Sequence, residues 1–328
     1  MKKRHLIAAV AAALVLMLLG LTCGALAGGE TLVGSLSYLN MTEKEEDAML
    51  RDNNKKMIML LKMYGILKEV NPAVSLGDAS IRYYDTLDGM LLALQAGEVR
   101  AIRVPYYTAR YLAATADGLE VLLEYHPEKV DSVSQLMVNM LSEGYSFMLK
   151  EDRAALRDDL DRQITAMKGD GTLQKLIDEH IIKASETGET TAVSFEKYEG
   201  DPIRIAVTGS LPPMDYVAAD GSFAGFNTAV LAEIGRRLQK NIELVQVDSI
   251  GRALALAEGV VDVAFWTRGL SQGALDTGIR PDSPEISDLT GEKTSAEAAE
   301  KYVNRDMPEG TIITQPYFSD IPVLVALK

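Results

Sequence analysis

Cysteine occurs once, as Cys23. A disulfide framework is therefore excluded, and so is a zinc site of the Cys-x-x-Cys kind, because both need several thiols. Histidine occurs three times. The two beyond the N-terminal segment, His126 and His180, are too far apart to show a metal-ligand spacing. No Gly-x-x-x-x-Gly-Lys phosphate loop is present. Carboxylates are plentiful, but the sequence singles out no pair of them as acid and base. The chain reads as a protein without catalytic machinery, cofactor or metal. Basic residues are outnumbered, 33 Lys and Arg against 47 Asp and Glu. An excess of acid argues against nucleic acid and against adhesion to anionic lipid.

A long hydrophobic run occurs at the start, from Leu6 to Leu21. Met1-Lys2-Lys3-Arg4 precedes it and Ala25-Leu26-Ala27 follows, which is the layout of an export signal over residues 1–27. The run is short for a spanning helix and has no flanking stop-transfer charges. The expectation is an exported protein, periplasmic or extracellular. Cys23 stands where a lipoprotein signal carries its modified residue, although Gly20-Leu21-Thr22 departs from the usual pattern. Lipid anchoring at Cys23 and cleavage after Ala27 both stay open. What remains of the 328 residues, 47% of them hydrophobic over the whole chain, is enough for two lobes of ordinary size.

Local patterns supply the elements. Glu30 to Asn40 reads as a strand and loop. Thr42-x-x-Glu45 is a capping box for a helix over about 43–62, whose methionines (Met49, Met57, Met59, Met63) fit core packing. Ile81–Tyr84 is a strand, and Asp85-Thr86-Leu87-Asp88 caps a helix that Gly97 ends. Val99–Val104 is a strand, Tyr106–Ala114 a helix and Leu119–Leu123 a strand. Tyr145–Leu149 is a strand crossing between lobes, and amphipathic helices over 153–167 and 173–181 follow it. A polar linker occupies 183–200. Ile203–Thr208 is then an apolar strand stopped by Gly209 and Pro212-Pro213. Gly225-Phe226-Asn227 opens a helix with Val230, Leu231, Ile234 and Leu238 on one face. A strand (Ile242–Val247), a helix (Arg252–Ala257) and a strand (Val260–Trp266) complete a βαβαβ run. The acid-rich stretch 275–310 is extra, a surface excursion or a lid over a pocket.

The stretch IRIAVTGSLPPMDYVAADGSFAGF (203–226) resembles the opening of the family 3 extracellular solute-binding proteins, the capture subunits of amino-acid ABC importers. Further pieces in the same order are Gly-Phe-Asn at 225–227, Arg236-Arg237-Leu238, ELVQVD at 243–248, LAEGVVDV at 256–263, Pro316-Tyr317-Phe318-Ser319-Asp320 and Val323-Leu324-Val325. YYDTLDGMLLALQAGEVRAI resembles the second lobe of that family, and DRAALRDDLDRQITAMKGDGTLQKLIDEHI its closing helices. The resemblance implies an α/β, two-lobed fold of the type II periplasmic-binding-protein kind, with open, mostly parallel sheets flanked by helices. It also implies a small-molecule solute and a membrane ABC permease as partners. The order of the pieces departs from the family. Second-lobe material occupies 30–144, the crossing strand and closing helices 145–182, and first-lobe material 201–328 after the linker. The expectation is a circular permutation that removes one covalent crossing between the lobes. A domain-swapped dimer and a fragment of a tandem protein are the alternatives.

Ligands of open α/β sheets collect beyond the carboxyl ends of the strands. That rule selects Leu211 and Asp215, Asp248, Trp266-Thr267-Arg268, Tyr38, Asn40 and Thr42, and Tyr106. Trp266 offers a stacking face, Thr267 a hydroxyl and Arg268 an anion fork. Tyr38, Asn40 and the helix start at Thr42 offer donors to a negative group. Tyr106 and Tyr107 offer aromatic walls. The family's amino-acid binders use an arginine for the ligand carboxylate, an aspartate for the ammonium and aromatics for the side chain. The matching positions here fall near Ala274, near Pro105, and near Leu211 and Ser249, so an ordinary α-amino acid is disfavoured as ligand. A sensor or partner-docking protein of the same fold is the alternative to a transporter subunit. A fold-related dehydratase ranks below both.

Overall fold

The computed structural model describes residues 31–36, 79–121, 143–248, 251–268 and 308–328. The export signal, the capping box at Thr42 with its helix, and most of the 275–310 excursion lie outside the described residues.

Two sheets organise the described chain. In the first, β1 (Thr31–Leu36), β2 (Ala79–Tyr84) and β3 (Ala101–Pro105) run parallel. Helix α1 (Leu87–Gln95) lies between β2 and β3, and its Thr86 Oγ1 accepts from the Gly89 N–H at 3.1 Å. Helix α2 (Tyr106–Thr115) follows β3 and leads to β4 (Leu119–Val121). Leu87, Met90, Leu94, Ile102, Val104 and Leu112 are buried in the core of this lobe A.

Lobe B is built from β5 (Glu143–Lys150), β6 (Ile203–Val207), β10 (Ile242–Gln246), β11 (Val263–Arg268), β12 (Thr311–Ile313) and β13 (Phe318–Asp320). A separate three-stranded ribbon, β7 (Ser210–Leu211), β8 (Asp215–Val217) and β9 (Phe223–Ala224), covers the carboxyl end of β6. One face of the sheet packs on α3 (Ala154–Gly169), α4 (Thr172–Ile177) and α6 (Phe226–Leu238) through Phe147, Leu160, Ile164, Ile205, Val230 and Phe265. The other face carries α7 (Gly251–Ala257) over Met148, Ala206, Leu256 and Trp266. Val230, Leu231 and Ile234 of α6 are buried, as their shared face requires.

With β14 at Pro322–Leu327, the sheets run β2-β1-β3-β14-β4 and β10-β6-β11-β5-β12. In both, the order is second strand, first, third, a crossing strand, fourth. The crossing strand is antiparallel to its neighbours in each case: β14 (Pro322–Leu327) between β3 and β4, and β5 between β11 and β12. Each lobe thus receives an interior strand from a distant part of the chain.

Three expectations change. The segment 201–328 is not wholly first-lobe material, because its strand β14 pairs with β3 and β4 of lobe A. The apolar run Val323-Leu324-Val325 fits either interior, and pairing decides between them. The chain passes between the sheets twice, from β4 to β5 and from β13 to β14, so a crossing has not been lost. The polar stretch 183–200 is not a loose linker. It begins as α5 (Lys183–Thr187), which continues a π-helical segment (Asp178–Ile182), with Ala184 and Ser185 buried. Small side chains hid this contact from a reading based on hydrophobicity.

Candidate functional site

The carboxyl ends of β6, β10 and β11 carry the loop 208–215, Asp248, and Trp266 to Arg268. The 208–215 loop is folded on Asp215. Its Oδ2 accepts from the Thr208 N–H (3.0 Å), the Thr208 hydroxyl (3.0 Å) and the Gly209 N–H (2.9 Å). Asp215 is 5% exposed, so the carboxylate serves its own loop and is no free ligand group. Gly225 closes the neighbouring turn at φ 102°, where a Cβ would stand 2.6 Å from the Met214 carbonyl oxygen. Asp248 is exposed and accepts from the Gly251 N–H at the start of α7.

Trp266 is placed differently from the sequence expectation. Side chains alternate along β11, and Val263 and Phe265 enter the main core of lobe B. Ala264 and Trp266 therefore point to the α7 face, where Trp266 is 3% exposed among Met148, Leu256 and Val261. It packs the sheet and offers no stacking face to the cleft. Thr267 and Arg268 continue β11 opposite Tyr145 and Gly144 of β5.

From lobe A, Tyr106 also proves to be core, 1% exposed, with Arg110 donating to its hydroxyl at 3.5 Å. The next residue, Tyr107, is the one at the seam. It packs against the cores of both lobes, and its ring lies 6.0 Å from Phe318. Leu211 on β7 likewise touches both cores. Of the residues that the sequence selects, Leu211 is thus placed at the seam by its contacts, while Tyr106 and Trp266 belong to the interior. Tyr38, Asn40 and Thr42 lie outside the described residues.

Two polar arrangements at the crossing draw on residues of the Pro316–Asp320 stretch, Tyr317 and Asp320. The Tyr317 hydroxyl donates to Asn227 Oδ1 at 2.8 Å, fully buried, and burial raises its pKa well above the usual tyrosine range, with the Asp215 charge adding to the rise. Asp320, the last residue of β13, accepts from the Tyr107 N–H (3.1 Å) and the Ile321 N–H (2.8 Å). The Ile321 carbonyl accepts from the Tyr106 N–H at 2.8 Å. The junction between β13 and β14 therefore caps the first turn of α2, which Pro105 leaves without a side-chain cap. Burial pushes the Asp320 carboxyl up to about 8, and nearby Glu143 raises it further while the two N–H donors hold it down. Glu143 stands opposite Asp320 in the ladder and pairs with Arg103 of β3 at 2.6 Å. Asp320 lies inside the Pro316–Asp320 motif, but its role depends on a helix more than two hundred residues away in sequence.

Among the described residues no cluster of three or more His, Cys, Asp or Glu side chains is placed to hold a metal ion. No described helix is long and apolar enough to cross a membrane.

Comparison with curated proteins finds no match. Among solved structures, similar folds include a periplasmic binding protein of an ABC transporter from Brucella ovis with glutathione bound, at 11% identity and a TM-score of 0.41 over 92% of this chain and 63% of that one. The ligand-binding component of an ABC-type import system from Staphylococcus aureus, with zinc bound, shows 10% identity and a TM-score of 0.38 over 92% and 66%. A phosphate-binding protein of Streptococcus pneumoniae TIGR4 shows 12% identity and a TM-score of 0.35 over 92% and 90%. The chain thus spans just under two thirds of the first two, and overlaps this loose do not align residue with residue. The family comparison is more specific. Residues 203–269, which include β6 to β11, match the family model of the bacterial extracellular solute-binding proteins, family 3.

Proposed function

We propose that this protein is an exported solute-binding protein that takes a small organic solute between its lobes and presents it to a membrane ABC permease. The observation that carries this reading is the family 3 match over β6 to β11, within a pair of lobes that share one strand order. The chemistry would be binding without turnover: solute contacts from both lobes favour one arrangement, and the permease reads it. Part of the same reading is a circular permutation, supported by β6, the first strand of lobe B, following the closing helices in the chain.

A second reading, a sensor or partner-docking protein, is favoured by one observation. Two of the groups expected to greet a ligand, Asp215 and Trp266, are committed to the fold.

A thermal-shift screen of residues 28–328 against amino acids, short peptides, polyamines and organic anions separates these. A solute present at 100 times its Kd stabilises the folded state by about 2.7 kcal/mol. At about 2–4 °C per kcal/mol for chains of this order of size, that is a readily measured rise. A rise with one class supports solute capture. A flat screen sinks it and leaves the docking reading.

A further inference from the structure

The binding reading makes no use of the helical run that leaves lobe B and ends on lobe A. It starts at α4, where Leu173 is in the lobe B core and the Thr172 hydroxyl accepts from Arg237 at 2.9 Å. It passes through the π-helical segment, whose Ile181 is in the same core. It finishes as α5, packed along α2 of lobe A. Gly188 then turns the chain at φ 72°, so close that a Cβ there would meet Thr115 Cγ2 at 2.7 Å. One rod of helix is therefore rooted in one lobe and seated on the other.

The chain beyond it returns to lobe B as an extended strap. Thr191, Val193 and Phe195 are half-buried while Ala192 and Ser194 are exposed, the alternation of a segment lying flat on a surface. Phe195 packs against the lobe B core. Farther along, Asn241 grips Tyr198 at both its N–H (2.8 Å) and its carbonyl (2.7 Å). On the inner side of the seam, Leu211 reaches both cores. These contacts are protein to protein throughout.

We infer that α5 and the strap clamp the two lobes in a closed arrangement without ligand, so that a solute enters when the clamp lets go. An opening motion about the β5 and β13–β14 crossings has to part α5 from α2 and withdraw Leu211. A helix does not stretch, so the run either stays seated or bends, and its π turn is where bending is easiest. The inference does not depend on the cleft taking a solute.

The test is the distance between spin labels at Leu92→Cys on α1 and Leu254→Cys on α7, positions 66% and 58% exposed on opposite lobes. Residues 28–328 contain no native cysteine to compete for label. The protein is refolded from guanidinium so that no solute is carried along, and measured by double electron–electron resonance. The expected result is one narrow distance distribution, unchanged by a mixture of amino acids at millimolar concentration. Gly188→Val, which wedges α5 from α2, is expected to move it to longer distances with the circular dichroism of a folded protein. Leu211→Asp on the inner side is expected to do the same, as a second variant should the first fold poorly. A broad or two-peaked distribution in the refolded wild type overturns the inference, and so do folded variants with the wild-type distribution. A thermal shift with no distance change would support solute binding and the clamp together. A flat thermal screen leaves the distance test standing by itself.

Discussion

Replacing Asp215 by alanine separates a ligand group from a loop clamp. One oxygen of the carboxylate holds two backbone N–H groups and a hydroxyl at 2.9–3.0 Å. The Thr208 hydroxyl can rotate to water after the change, but the two N–H groups are fixed in direction by the turn between β6 and β7. Thr208 and Gly209 are half-buried, so water reaches them only in part. Stranding a buried donor costs about 1–3 kcal/mol. Two half-solvated donors therefore amount to about 2–4 kcal/mol, mostly from the loop that supports Leu211. Asp215→Asn keeps one acceptor oxygen and is expected to lose about half as much. The assay is urea unfolding followed by the emission of Trp266, the single tryptophan, which is buried in lobe B and reports on that lobe. An unchanged midpoint for Asp215→Ala, with weakened binding of whichever solute class raises the melting temperature, would refute the clamp and restore the ligand role.

Trp266→Ala removes a fully packed side chain between the sheet and α7, and is expected to cost about 3–5 kcal/mol; circular dichroism in urea measures it, and an intact midpoint would contradict the placement. Gly225→Ala forces a side chain to within 2.6 Å of the Met214 carbonyl at a left-handed φ, and is expected to lose about 2 kcal/mol or more, measured the same way. Stability should also vary with pH in opposite directions at two groups. The Asp320 carboxyl, raised in the folded state to about 8 from an ordinary value near 4, contributes stability that is complete below about pH 4 and lost as pH rises toward about 8. Asp320→Asn should flatten that decline, whose slope cannot exceed about 1.4 kcal/mol per pH unit. Burial lowers the His180 pKa, so its contribution is present above about pH 6.5 and lost as pH falls. His180→Gln should flatten the acid side in urea midpoints collected from pH 5 to 9.

Much of the fold was legible because its elements carry local signals. The capped helix at Thr86, the stops at Gly97 and Gly209 and the one-faced helix from Phe226 each follow from a few neighbouring residues, and all are present. The partner of each strand was not legible. An apolar run such as Val323-Leu324-Val325 states that it is buried but not in which sheet. The site divides along the same line. Residues at strand ends were found, but whether each points to the cleft or the core depends on register. One residue of phase separates Tyr106 in the core from Tyr107 at the seam, and sets Trp266 on the α7 face opposite Phe265. Asp215 was selected for its charge, and only the geometry reveals that its own loop uses that charge.

Strand β14 lies in the middle of the lobe A sheet, between β3 and β4, yet it is made some two hundred residues after β4. A ribosome that has finished β1 to β4 has produced a lobe with a gap where its interior strand belongs. The edges of β3 and β4 that face the gap have no partner until Pro322–Leu327 emerges. Lobe A therefore cannot close its sheet during synthesis of the first half of the chain, and the wait is set by translation time and not by folding speed.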